Sequence, residues 1–135
     1  MQSFPINWWA VLLAAGIKFV LGALWYSPAL FGKQWMAAAK LSEAELRAGM
    51  GPAIAVEIVA DLIAAFILLH AVHYAGAVSL WQGGLVGFFN WAGFVATFTL
   101  GQVFYERRPW SLFAFANGYW ALSLILMGAI LAIWP

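Results

Sequence analysis

Three ionisable residues, Lys18, Glu57 and Asp61, sit inside long apolar runs of the sequence. A lone charge at the centre of a bilayer costs on the order of 3 kcal/mol, so an amine and a carboxylate placed there are expected to find each other. Glu57 precedes Asp61 by four residues, about one helical turn, which sets both acids on one helix face. Two carboxylates against one amine leave one acid in surplus. Neighbouring carboxylates in low dielectric do not both ionise at low cost, and a site of that kind is suited to holding and passing a proton or binding a cation. The simpler expectation is structural: Lys18 and Asp61 lock two helices together while Glu57 reaches toward the membrane surface.

Other polar residues fall near the same level. Thr97, Asn117 and Tyr119 join the three charges in a layer that is either interhelical hydrogen-bond glue or the lining of a small cavity. His70 and His73, at i and i+3, are weak candidates for a metal or haem, since two ligands leave a tetrahedral site half empty. No cofactor is implied. An enzyme is not expected: the chain has no cysteine, no Ser/His/Asp set at one depth, and no phosphate-binding loop.

The elements that position these residues follow from composition. The 135 residues are 66% hydrophobic and 8% charged, with mean hydropathy +0.92, whereas soluble domains are about 45–50% apolar and about 25% charged. The surrounding solvent is therefore a bilayer for most of the chain. Four segments reach the ~20 residues that a span needs: about 6–26, 52–74, 80–105 and 110–134. With no strand alternation they read as helices. The expected fold is an all-α integral membrane protein, a single domain over 1–135, with a four-helix bundle built of two helical hairpins. The first span has no basic residue before it and is too long for a signal h-region, so it reads as uncleaved.

Depth follows from helical rise. Lys18 lies eight residues from Tyr26, about 12 Å, and Asp61 nine residues from Pro52, about 13–14 Å. The two spans are antiparallel neighbours, so amine and carboxylate meet at one level. Between them, the polar loop 27–51 carries Ser42 and Glu45 at capping-box spacing, with Leu41 and Leu46 as a hydrophobic staple. A short surface helix over about 43–48 is expected there.

The basic residues outside the spans, Lys33, Lys40, Arg47, Arg107 and Arg108, all lie in the first and third loops. The positive-inside rule puts those loops in the cytoplasm and both termini on the outer side of the membrane. Lys33, Arg107 and Arg108 then serve as lipid anchors or anion contacts. Trp8, Trp9, Trp81 and Trp134 are expected at the outer interface, and Trp25, Tyr26, Trp35, Tyr105 and Trp110 at the inner one. Net charge is only +1, which leaves no footprint for nucleic acid.

Residues 18–26, "KFVLGALWY", echo residues 97–105, "TFTLGQVFY", which suggests a duplicated hairpin with parallel repeats. The run Gly22-x-x-Trp25-Tyr26-Ser27-Pro28-x-Leu30-Phe31-Gly32-Lys33-x-Trp35 resembles the signature of a bacterial family of small four-span membrane proteins, domain-of-unknown-function family 1761. Glu106-Arg107-Arg108-Pro109, Gly118-Tyr119 and residues 127–131 are similar too. The resemblance implies four helices in a bacterial inner membrane and no particular activity. Two functional expectations remain. One is a proton- or cation-linked small-molecule transporter or channel component, for which four helices form too narrow a pathway without a homodimer. The other is a non-transporting module that binds a lipid, pigment or partner protein.

Overall fold

The computed structural model describes residues 3–135, which are mostly helical, with no strand among them. The helices are α1 (Trp8–Trp25), α2 (Gly32–Ala39), α3 (Glu43–Ala48), α4 (Met50–Tyr74), α5 (Leu80–Tyr105) and α6 (Trp110–Ile133). Four of them, α1, α4, α5 and α6, are long and apolar enough to cross a membrane. The bundle has two distinct ends. Residues 26–51 and 106–109 gather at a basic end, and residues 75–79 lie at the terminal end with both ends of the described chain.

Local chemistry sets the helix boundaries. Asn7 caps α1 by accepting from the Ala10 amide at 3.2 Å, and its own amide donates to the carbonyls of Trp134 and Pro135 at 3.4 and 3.2 Å. One side chain thus starts the first helix and holds the end of the last. At the other end of α1, Pro28 cannot continue the helix, and the chain turns through Ser27, whose carbonyl accepts from Leu30 and Gly32. The N-cap half of the expected box forms, with Ser42 accepting from the Glu45 amide at 3.1 Å, while the Glu45 carboxylate accepts from the Ser42 hydroxyl at 3.0 Å.

The loop holds a second helix, α2, beyond the single one expected from sequence. Its residues, GKQWMAAA, are good helix formers after the first glycine, and Lys40 ends it in the left-handed conformation (φ 57°). A different departure occurs inside α5. Residues Trp91–Ala96 are wound as a π-helix, which widens the turn and shifts the face that later residues present.

Helix α6 is the hub. It packs against α1, α2, α4 and α5, and 44% of its most apolar window is buried, against 11–28% for the other three spans. A dry core joins α1, α4 and α6 through Val11, Ala14, Ala65, Leu68, Met127 and Leu131. The outward faces are large and apolar, including Val20, Ile63, Ile67, Phe89 and Phe98, the arrangement a lipid environment requires.

Candidate functional site

Lys18 and Asp61 are each 1% exposed and form a salt bridge between α1 and α4. The lysine Nζ donates to Asp61 Oδ1 at 2.5 Å, to Glu57 Oε1 at 3.1 Å and to the Tyr119 hydroxyl at 3.0 Å. Those three bonds use all three ammonium donors. The Tyr119 hydroxyl donates in turn to the Lys18 carbonyl at 3.1 Å. The ammonium also lies 4.1 Å from the Trp120 ring and 4.9 Å from the Tyr119 ring, close enough for cation–π attraction in a site shielded from water. Trp120 was not legible as a partner, because indole in a hydrophobic run reads only as lipid-facing bulk.

The two acids differ. Asp61 is enclosed, and its Oδ2 has no hydrogen-bond partner among the described residues. The Glu57 side chain is 45% exposed and lies one turn nearer the basic end. Toward the terminal end, the dry core of Val11, Ala14, Ala65, Leu68 and Met127 follows. The cluster thus has one partly exposed acid on its basic-end side and apolar packing beyond Asp61.

Two interlocking contacts bring α6 to this site. A Cβ at Gly22 would lie 2.8 Å from the Tyr119 hydroxyl, and one at Gly118 would lie 2.7 Å from the Trp25 ring. Each glycine on one helix thus receives the aromatic of the other. Trp25 also donates its indole N–H to the Phe115 carbonyl at 3.0 Å, so it ties α1 to α6. These four residues belong to the motifs singled out in the sequence, and their pairing supplies the physical reason for them.

The remaining members of the expected layer divide. Asn117 is buried but belongs to a separate network. It accepts from the Trp91 indole at 3.0 Å and donates to Thr99 Oγ1 and the Phe113 carbonyl, both at 2.9 Å. Thr97 is exposed and donates only to the Gly93 carbonyl of its own helix at 2.7 Å. The layer of six is thus a cluster of four, Lys18, Glu57, Asp61 and Tyr119, with Asn117 beside it in other company and Thr97 outside. The π-turn supplies the reason, since it turns Thr99 rather than Thr97 toward α6.

His70 and His73 sit at the terminal end. His70 Nδ1 bonds the Phe66 carbonyl at 2.8 Å, and Phe4 stacks on the His73 ring at 3.6 Å between centroids. Among the described residues no group of three His, Cys, Asp or Glu is placed to hold a metal ion. An apolar cavity of about 700 Å³ opens beside them, with Phe4, His73, Val72 and Leu131 in its wall. At the basic end, Lys33, Arg107 and Arg108 are all exposed. Arg107 takes a left-handed conformation (φ 55°) in the turn between α5 and α6, and Arg108 Nε donates to Glu106 at 2.8 Å.

No curated protein and no solved structure matches the chain. A family model does match, over residues 9–132, which takes in all four spans, the cluster and the interlocked Gly22/Tyr119 and Trp25/Gly118 pairs. The chain belongs to the family described as protein of unknown function DUF1761.

Proposed function

We propose that this protein is a proton-linked membrane component, a small-molecule transporter or channel part whose proton site is the Lys18–Asp61–Glu57–Tyr119 cluster. The observation that supports this reading most is the unequal pair of acids around one ammonium. Lys18 balances one carboxylate, and the surplus charge is relieved by one proton. Asp61 holds an oxygen without a partner, and the half-exposed Glu57 gives that proton a way in from the basic end. The apolar packing beyond Asp61 fits a pathway open at one end and closed at the other. Two copies of the chain, rather than one, supply enough helices to line a path for a solute.

The membrane is the bacterial inner membrane on this reading, with the basic end in the cytoplasm. The five basic loop residues favour that side. The chain has no cysteine, so single substitutions such as Lys40→Cys and Ser79→Cys can be labelled in intact cells. Labelling of Lys40→Cys from outside by an impermeant maleimide would reverse the orientation.

A second reading rests on the completeness of the Lys18 coordination. All its donors are used, as in a fixed lock, within a module that binds lipid, a pigment or another protein. Infrared titration separates the two. A carboxylic C=O stretch that appears and disappears across the physiological pH range, and is lost in Asp61→Asn or Glu57→Gln, is the expected result for proton exchange. Carboxylate bands that stay constant across that range would leave only the lock.

A further inference from the structure

An open cavity of about 280 Å³ lies at the basic end, bordered by Tyr26 after α1, by α2, by the last turns of α5 and by Arg108 and the start of α6. It is near the small end of ligand pockets, which run from ~300 to ~1,000 Å³. Its walls combine two kinds of residue. Tyr26, Trp35 and Phe113 supply flat apolar faces, and Gln102, Arg108 and Thr99 supply polar edges. Tyr26 and Trp35 meet edge to face at 5.1 Å, so the aromatic wall is a built contact rather than a chance grouping.

The polar inventory is uneven. Thr99 is fully engaged with Asn117 and with the Val95 and Ala96 carbonyls. The Gln102 amide, the Trp35 indole N–H and the Tyr26 hydroxyl make no side-chain hydrogen bond among the described residues. Arg108 spends only Nε, on Glu106, which leaves the terminal nitrogens of its fork. Donors therefore outnumber acceptors around this cavity, one of them permanently cationic. A group with several acceptor oxygens in a plane or a tetrahedron matches an arginine fork best.

We propose that this cavity binds a small amphipathic anion, a flat apolar body carrying a carboxylate or phosphate. The body lies against Tyr26, Trp35 and Phe113, and the anionic head accepts from Arg108 and Gln102. The proposal does not rest on proton exchange at Lys18, although Tyr26 in the cavity wall meets Tyr119 of that cluster edge to face at 5.7 Å. Of the basic residues expected to contact anions, only Arg108 lines the cavity; Lys33 and Arg107 do not.

The test uses the full chain in a neutral detergent and calorimetric titration with 2-naphthoate. Saturable binding is expected, weakened at least ten-fold by Arg108→Gln and by Trp35→Ala, and at least ten-fold weaker for the neutral 2-naphthylmethanol. Gln102→Leu, at a position outside the buried core cluster, should weaken naphthoate more than naphthylmethanol. Dihexanoyl phosphatidic acid distinguishes the source of the anion. Displacement of naphthoate by this lipid, with the same loss in Arg108→Gln, identifies a lipid headgroup as the occupant; naphthoate binding without displacement identifies a free organic anion. Equal binding of both probes to the parent chain, Arg108→Gln and Trp35→Ala, or binding of neither, overturns the proposal.

Discussion

The two helical hairpins solve one problem in opposite ways. In lipid there is no hydrophobic force between helices, so contact must come from close packing or from polar bonds. The second hairpin, α5 against α6, relies on close backbone packing, with only neutral hydrogen bonds to Asn117 beside it. A Cβ at Gly83 would overlap the Gly128 carbonyl, and one at Gly87 would overlap the Leu124 carbonyl, so the two backbones touch directly. The first hairpin, α1 against α4, is joined at depth by an ammonium and two carboxylates. Glycine contact is dry and has one arrangement. An ion cluster has protonation states, so only the first hairpin can respond to its surroundings.

That comparison breaks first at Gly87. Gly87→Val puts a branched side chain into the Leu124 backbone, which no rotamer change can relieve. A loss above about 4 kcal/mol is expected, enough to abolish the native fold. Thermal unfolding in detergent is the check, and a variant that melts near the parent would show that the hairpin separates without cost.

The first hairpin should fail more gently and in a way that can be repaired. Asp61→Ala removes the enclosed partner of a lysine that is 1% exposed and leaves it only the half-exposed Glu57, with a cost of about 3 kcal/mol, the low end for breaking a buried pair. Replacing both partners, Lys18→Met with Asp61→Leu, should restore most of that loss while eliminating any pH-dependent carboxyl band at Asp61. A double variant as unstable as Asp61→Ala would show that the ion pair holds this hairpin together and is not replaceable by packing. Tyr119→Phe removes one acceptor from Lys18 but keeps the ring over the ammonium. Its expected cost is about 1–2 kcal/mol, with the ring contact to Tyr26 unchanged.

The contrast between hairpins also marks how much the sequence revealed. Depth was legible, because helical rise converts residue count to distance. Counting from Tyr26 and from Pro52 put Lys18 and Asp61 at one level, and they meet. The Ser42/Glu45 cap was legible because its two bonds are local. Facing direction was harder. The inward positions of α5 recur every four residues, from Gly83 and Gly87 through Trp91, Val95 and Thr99 to Val103. An α-helix of 3.6 residues per turn drifts off that line, and the π-turn at Trp91–Ala96 brings it back. Nothing in the residue types announces that turn. Gly83 and Gly87 did carry a readable signal, the four-residue glycine spacing of tight membrane helix pairs.

The smallest expected effect tests that account of α5. Thr97 and Thr99 lie two positions apart with the same chemistry, so their difference is purely one of facing. Thr99 accepts from Asn117 across the helix pair at 2.9 Å, and Thr99→Val should cost about 1 kcal/mol, the ordinary loss for one such bond. Thr97 bonds only its own helix and faces outward, so Thr97→Val should leave the melting temperature unchanged. If the two costs were exchanged, the π-turn would be absent in the membrane. Thr97 would then face α6, and the polar layer would extend to all four spans. Equal and negligible costs would instead remove Asn117 from the second interface and leave its glycines as the whole of the contact.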